Sequence, residues 1–160
     1  MKFSLASSLA LTGVMAFAAI QTLQPLNART GQWNITETIH WSNIPAQYAG
    51  MFQNPHTITF TSCVKTENLT TNPFSNPGSK CQWTVLKSTG TDMEVQTTSC
   101  RTDTEAGPFL ASIHGTIHMQ DAQDGTGAMD YSGQIQGISA AGHADYTGTW
   151  AAPTCSSDNQ

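Results

Sequence analysis

The segment ASIHGTIHMQ, residues 111–120, alternates apolar and polar side chains, and the pattern largely continues through TGAMDYSGQIQ, residues 126–136. Side chains point alternately to the two faces of a β-strand, so this alternation indicates strands with one buried face. Between the segments lies Gln123-Asp124-Gly125, and a three-residue loop that ends in glycine is typical of a β-hairpin. We therefore predict an antiparallel hairpin in the last third of the chain.

The register implied by this loop gathers apolar residues on one face. It pairs Ile117 with Tyr131, Ile113 with Ile135, and Met119 with Met129. A third strand over residues 142–150 repeats the Asp-Tyr-Ser-Gly of residues 130–133 as Asp-Tyr-Thr-Gly at 145–148. If Tyr131 lies opposite Gly148, then Tyr146 lies opposite Gly133, and each ring covers a strand glycine.

The earlier part of the chain follows the same two-residue period. We predict strands at residues 31–39 and 56–64 and a hairpin at 81–97. Loops are predicted at 42–55, 66–80 and 101–108. The predicted hairpin turns at Ser88-Thr89-Gly90, which places Val85 opposite Met93 and Trp83 opposite Val95. No stretch after the first 28 residues shows a sustained helical period.

Together these segments predict an all-β fold. The expected architecture is an antiparallel up-and-down meander of about seven strands. Because one face of the sheet is apolar and must be covered, we expect the sheet to curl into a barrel or half-barrel. A two-sheet β-sandwich is the alternative.

The N-terminus resembles a secretory signal peptide. Met1-Lys2 supplies a positive charge, residues 3–19 are mainly apolar, and Ala16-Phe17-Ala18 has the small-x-small pattern of a cleavage site. We predict a signal peptide over residues 1–18, with cleavage as late as residue 28 as a variant, and a single β domain over 19–160. The protein is then exported, to the periplasm or outside the cell. An uncleaved anchor is the alternative, although the apolar run is shorter than the roughly 20 residues that a spanning helix needs.

Four cysteines, Cys63, Cys81, Cys100 and Cys155, follow the predicted leader. An even number in an exported chain indicates disulfides, and their wide spacing is unlike that of a zinc site. In the predicted hairpin Cys81 lies on the apolar face and Cys100 on the other, so a bond between them requires a β-bulge. We therefore favour Cys63–Cys81 and Cys100–Cys155 among the three possible pairings.

The charge pattern excludes some partners. The formal net charge is -5, and the basic residues are scattered rather than clustered. Neither nucleic acid nor an anionic membrane surface is an expected partner for such a chain. After the leader, no segment is long and apolar enough to span a bilayer.

The order of motifs resembles a known family. Gly31-x-Trp33 opens the first strand, Cys63-Val64 follows a proline-rich loop, and strands around Gly90 separate Cys81 from Cys100. Glycine-rich Tyr-x-Gly strands and a last cysteine near the C-terminus complete a pattern that resembles the bacterial domain-of-unknown-function family 3617, small exported proteins. The resemblance implies an exported β domain and carries no known activity, ligand or catalytic residue.

Two pairs of polar residues could carry chemistry, a histidine–aspartate pair and a pair of histidines. The predicted register places His118 opposite Asp130 on the outer face, a pair that could act in acid–base or nucleophilic catalysis. An exposed sheet face offers no pocket, and cross-strand His–Asp pairs are ordinary sheet contacts. His114 and His118 stand roughly 13 Å apart on a strand, too far to share one metal ion. We predict neither a metal site nor a cofactor.

The aromatic residues have two possible roles. Trp83, Tyr131, Tyr146 and Trp150 either fill the core of a small barrel or line a ligand cavity inside it. Three functional hypotheses follow. The favoured one is a non-enzymatic domain that binds another component of the cell envelope. The alternatives are a lipocalin-like carrier of a small apolar ligand and a hydrolase that uses His118 and Asp130.

Overall fold

The computed structural model describes residues 22–104 and 107–156, and in them every strand pairing is antiparallel. The strands are β1 (Gly31–Ser42), β2 (His56–Val64), β3 (Lys80–Cys81), β4 (Thr84–Ser88), β5 (Asp92–Thr104), β6 (Gly107–Met119), β7 (Asp124–Ile135) and β8 (Ile138–Ala152). Two short 3-10 helices, Ala46–Met51 and Thr66–Thr70, lie in the connections that flank β2. The all-β class is confirmed. Within the described residues, neither helix has the length or hydrophobicity of a membrane span.

The strands form one curled sheet in the order β2-β1-β8-β7-β6-β5-β3, and β4 also pairs with β5. Since β3 and β4 occupy the same side of β5, the sheet has seven strand positions. The first strand, β1, lies between β2 and the last strand, β8. In the described part of the chain β2 does not pair with β3 or β4, so the sheet stays open along that seam. The half-barrel form of the prediction is confirmed, and the two-sheet sandwich is not formed.

The inner face of this half-barrel is the hydrophobic core. Alternate residues of β1, β5, β6 and β8 point inward, as their buried–exposed alternation shows. Burial of each large apolar side chain contributes about 1.5–3 kcal/mol. The least accessible of these inward residues are Trp33, Ile35, Met93, Val95, Ile117 and Ala144.

Residues 22–30 close one end of the half-barrel. Their backbone N–H groups donate to the loops at that end, from Leu26 to the carbonyl of Leu69 at 2.9 Å and from Asn27 to the carbonyl of Gly90 at 2.7 Å. Leu26 is only 2% exposed, and the guanidinium of Arg29 lies 4.0 Å from the centre of the Trp150 ring. This segment is therefore part of the folded domain rather than a free arm.

The connection between β2 and β3 sends Phe74 into the interior. The Phe74 ring is 3% exposed and lies 5.1 Å from the ring of Trp33, centre to centre. Gly125 and Gly148 are opposite each other on β7 and β8, and a Cβ atom on Gly125 would lie 3.2 Å from this ring. The two glycines thus make room for Phe74 against the sheet.

The hairpin between β6 and β7 has another register than the predicted one. The structure pairs Ile117 with Gly127 and Ile113 with Tyr131, a shift of four residues that leaves the inward faces unchanged. The turn ends earlier because the Asp121 side chain accepts hydrogen bonds from the backbone N–H groups of Gln123 and Asp124. Asp124 and Gly125 are therefore strand residues.

The tyrosines also face other partners than predicted. Tyr131 lies opposite Gly142 and Tyr146 opposite Gly127, so the predicted pairs with Gly148 and Gly133 are wrong. The β7–β8 hairpin turns at Gln136 and Gly137, which both have positive φ, and it pairs Ile135 with Ile138. This tight turn sets a register that differs from the predicted one by six residues. The space above Gly142 is taken by the Trp41 ring rather than by a tyrosine, since a Cβ atom there would lie 3.2 Å from Trp41.

Two further predictions around β5 are wrong. Val85 pairs with Val95 rather than with Met93. The hairpin between β4 and β5 turns at residues 89–91, where the Thr89 hydroxyl accepts a hydrogen bond from the backbone N–H of Asp92. The predicted loop at 101–108 belongs to β5 and β6, which continue to Thr104 and resume at Gly107. Residues 101–106 contain no proline or glycine, the residues that usually mark a long loop. The glycine and proline that follow, Gly107 and Pro108, lie in β6.

The disulfides are Cys63–Cys155 and Cys81–Cys100, so the favoured pairing is wrong. Cys81 and Cys100 are direct cross-strand partners on β3 and β5. The register of β5 shifts by one residue between Thr97 and Cys100, and this bulge turns Cys100 to the inner face. The bulge that such a bond requires is therefore present. Cys63–Cys155 joins the end of β2 to the segment after β8.

Candidate functional site

A cavity of about 640 Å³ occupies the half-barrel. Its volume falls within the roughly 300–1,000 Å³ that is usual for small-molecule sites in proteins. The walls come from the inner faces of β1, β2 and β5–β8, from the β1–β2 connection and from the β2–β3 connection. Apolar side chains that line it include Ile39, Ile58, Ile113, Met129 and Ile135.

Aromatic rings in edge or tilted contact form one wall of the cavity. The ring of Trp41 lies 5.4 Å from that of Phe52 and 5.7 Å from that of Phe109, centre to centre. Phe109 in turn lies 6.5 Å from Tyr131. Since Phe52 belongs to the β1–β2 connection, this loop packs over the end of the cavity that faces away from residues 22–30.

A polar cluster of Glu37, Tyr131 and Tyr146 interrupts the apolar lining. Glu37 lies on β1 between the inward-facing Ile35 and Ile39 and is 5% exposed. The Tyr131 hydroxyl donates to Oε1 of Glu37 at 2.7 Å, and the two tyrosine hydroxyls are hydrogen-bonded to each other. Tyr146 is the direct β8 partner of Glu37.

The buried position of this cluster controls its protonation. Burial raises the pKa of Glu37, and the hydrogen bonds from Tyr131 and Tyr146 partly oppose that change. Burial also raises the pKa of both phenols, with the nearby negative charge of Glu37 as a further cause. Both tyrosines therefore remain protonated hydrogen-bond donors at neutral pH.

Two hydrogen-bond donors of the cavity lining have no partner among the residues that the structure describes. They are Nδ2 of Asn72 and Nε1 of Trp83, and both atoms are buried. The Oδ1 atom of Asn72 accepts from the backbone N–H of Phe74 at 3.1 Å, which fixes the orientation of the amide. An unsatisfied buried donor destabilises a protein by about 1–3 kcal/mol unless something accepts from it.

The model of the family described as a protein of unknown function (DUF3617) matches residues 24–155. The chain belongs to this family. The match runs from the N-terminal segment that closes the half-barrel to the last cysteine, so the DUF3617 domain contains the entire cavity. Comparison with the curated proteins and with the solved structures finds no match.

Three of the four aromatic residues that the sequence proposed as ligand-lining lie on the cavity of this DUF3617 domain. They are Trp83, Tyr131 and Tyr146. Trp150 lies elsewhere: its indole donates to the carbonyl of Thr30, and its ring packs under Arg29. Trp150 lies two residues after the inward-facing Gly148, so alternation alone would turn it inward as well. The register of β1 and β8 shifts beside Trp33, which is the β1 partner of Trp150.

Glu37 was not predicted to be a member of the cavity. A signal was present, because Glu37 shares the strand face of Trp33 and Ile35, where a charged residue is out of place. The unpartnered donor of Asn72 left no such signal. Asn72 lies in the predicted loop 66–80, where asparagine is common at turns.

His118 and Asp130, the weak catalytic candidates, are not brought together. His118 pairs with Asp92 at 2.7 Å, and Asp130 pairs with His143 at 2.7 Å. The four-residue shift of the β6–β7 register separates them, since it places Thr126 opposite His118. Both side chains lie on the outer face of the DUF3617 domain, away from the cavity.

The outer face carries other histidine–carboxylate pairs. His114 contacts Glu94 at 2.8 Å, and Nε2 of His143 lies 3.7 Å from Asp145. On β7 the direct partner of His114 is Asp130. Among the described residues no group of three or more histidine, cysteine or acidic side chains is arranged to hold a metal ion.

Proposed function

We propose that this protein binds a small, mainly apolar molecule inside the half-barrel and acts as a carrier or ligand-binding domain. The observation that carries the proposal is the 640 Å³ cavity with its apolar and aromatic lining. Protein interiors are normally packed with few voids larger than a water molecule. A chain of this length could close such a space with larger side chains, so we interpret the cavity as a binding site.

The unpaired donors of Asn72 and Trp83 support the same function. Each lowers the stability of the ligand-free domain unless a water or a ligand accepts from it. An acceptor on a bound molecule would satisfy them after a small movement of the two side chains, since neither atom is exposed in the ligand-free domain. The lining thus combines apolar area with a small number of fixed polar groups, as ligand sites generally do.

We propose further that binding takes place outside the cytoplasm. The predicted signal peptide over residues 1–18 lies outside the described residues, and the two disulfides favour an oxidising compartment. Leu26 and Ala28 are buried in the core, which favours cleavage near residue 18 over cleavage after residue 28. The role as an envelope-interaction domain has less support, since the large exposed apolar residues of the described part of the chain, Leu23, Leu86 and Leu110, lie on three separate segments.

The test is a fluorescence titration of the disulfide-bonded protein with N-phenyl-1-naphthylamine, an uncharged apolar probe. We expect saturable binding of one probe per protein. The variant Ile113→Trp places a large ring in the cavity and should weaken probe binding at least tenfold. The control Leu110→Trp introduces the same ring on the outer face, where Leu110 is 57% exposed, and should bind as the wild type does.

Absence of saturable binding to the wild type would contradict the proposal, as would equal binding by Ile113→Trp and wild type. Far-ultraviolet circular dichroism checks that each variant keeps its β spectrum. If Ile113→Trp does not fold, the smaller change Ile113→Phe replaces it in the same comparison.

A further inference from the structure

We propose that the ligand is an amphiphile with a primary amine, whose protonated amino group pairs with Glu37 while its apolar body fills the aromatic part of the cavity. This inference rests on the proposed function and specifies its ligand class. Glu37, Tyr131 and Tyr146 form the polar end of the site, and the ring contacts from Trp41 to Tyr131 form part of the apolar end.

The charge of Glu37 favours a cationic ligand. Glu37 is buried in the cavity wall, and in the described residues no lysine or arginine lines this cavity or forms an ion pair with Glu37. The group on the protein that can oppose its charge is His56 of β2, whose Nδ1 is hydrogen-bonded to Gln53. A buried carboxylate without a close cation is costly, and a cationic ligand would supply the missing partner.

The hydrogen-bond acceptors of the cluster also favour an ammonium group. Tyr131 directs its proton to Glu37, and Tyr146 is bonded to both groups. The cluster therefore presents carboxylate and phenol oxygens, which are acceptors, to the cavity. A primary ammonium group has three N–H donors and no acceptor, so it matches this set of oxygens. The neighbouring aromatic faces also attract a cation.

Two other common headgroups, a carboxylate and an alcohol, fit the cluster less well. A carboxylate ligand would place a second negative charge beside Glu37, and like charges repel strongly in a buried site. An alcohol offers one donor and no charge, and neutral hydrogen bonds are about half as strong as charge-assisted ones. We therefore expect binding to decrease from amine to alcohol to carboxylate.

The experiment compares three ligands of equal chain length: decylamine, decanol and decanoate. Each displaces N-phenyl-1-naphthylamine from the full mature protein at pH 7.5, below the concentration at which it forms micelles. An alkylamine is protonated at this pH, as a lysine side chain is. We expect decylamine to bind at least tenfold more tightly than decanol, and decanoate to bind most weakly.

Two variants assign the selectivity to the cluster. Glu37→Gln keeps the shape of the side chain and removes the charge, so decylamine should lose at least tenfold in affinity while decanol stays within threefold. Glu94→Gln makes the same change on the outer face, where Glu94 contacts His114, and should leave all three affinities unchanged. Equal loss for decylamine and decanol in Glu37→Gln would contradict the inference.

A measurement on the unmodified protein tests the inference even if Glu37→Gln does not fold. Lowering the pH protonates Glu37, while Tyr131 and Tyr146 stay neutral. Decylamine should therefore bind more weakly at acidic pH, and decanol should not. Equal affinities for amine, alcohol and carboxylate would overturn the inference and leave the proposed function intact. Failure of the probe and of all three ligands to bind would overturn the proposed function itself.

Discussion

The Tyr131 hydroxyl donates a 2.7 Å hydrogen bond to the carboxylate of Glu37, although 94 residues separate the two along the chain. Tyr131→Phe removes this donor and leaves a buried charge less satisfied. We expect the free energy of unfolding to fall by about 1–3 kcal/mol. Urea denaturation at pH 7 with the disulfides intact measures it. Tyr48→Phe, whose hydroxyl lies outside this cluster, is the control, and an equal loss in both variants would contradict the assignment.

The pH dependence of stability should reveal the buried carboxyl group. Burial raises the pKa of Glu37 above its ordinary value of 4.5, so the folded state holds this proton more tightly than the unfolded state. Its contribution is then fully present below about pH 4.5 and is lost as the pH rises through the higher folded-state value. We expect the wild type to lose stability relative to Glu37→Gln between pH 4 and pH 7. Urea unfolding at both pH values gives the difference, and a constant or opposite difference would refute the burial argument.

Phe74 should be among the residues most important for stability. Its ring packs against Trp33 over the glycines of β7 and β8, and Phe74→Ala leaves an internal space. Such truncations of buried phenylalanine cost about 3–5 kcal/mol. Thermal and urea unfolding compare it with Leu110→Ala, an exposed site where the change should stay within about 0.5 kcal/mol. Similar small effects at both sites would show that Phe74 is not inserted in the core.

The outer-face pair of His143 and Asp130 makes a spectroscopic prediction. The hydrogen bond that the His143 ring donates to Asp130 raises the pKa of His143 above its ordinary value of 6.5. Nuclear magnetic resonance titration of the ring protons should show this elevation, and Asp130→Asn should lower the midpoint. Asp124→Asn, at the other end of β7, should leave it unchanged. Because the folded-state pKa is raised, any stabilisation by this pair is present at acidic pH and disappears as the pH rises through it.

The disulfide pairing is directly testable, because trypsin cleaves the oxidised chain between all four cysteines. Cleavage after Arg29, Lys65, Lys80, Lys87 and Arg101 places each cysteine in its own peptide. Mass spectrometry without reduction should find peptide 81–87 joined to 88–101 and peptide 30–65 joined to the one that begins at 102. A product joining 30–65 to 81–87 would instead support the pairing that the sequence alone favoured.

The strand pattern was predictable because the inward and outward positions follow directly from the chemistry of single residues. The register was not. A shift by any even number of residues keeps the same side chains inside, so the alternation in β6 and β7 fits the predicted and the observed pairing equally well. The turn decides between them, and here the side chain of Asp121 fixed it through two hydrogen bonds.

The disulfide pairing and the role of Glu37 were not predicted, for a related reason. Parity along β5 separates Cys100 from Val95, and only the bulge after Thr97 reverses it. A β-bulge is hard to recognise in a sequence, so the alternation of side chains predicted the wrong cysteine partners. For the site, Trp83, Tyr131 and Tyr146 were found from residue type, whereas the role of Glu37 depends on the strand order that places β1 next to β8.

That strand order also constrains how the protein comes into being. The strand that leaves the ribosome first after the N-terminal segment gains its second neighbour only when the final strand has been made. Pairings between such distant segments form slowly, because the entropy cost of closing a long loop comes before any contact stabilises it. The sheet can therefore be completed only after β8 has been synthesised, and until then one edge of the first two strands has no partner strand.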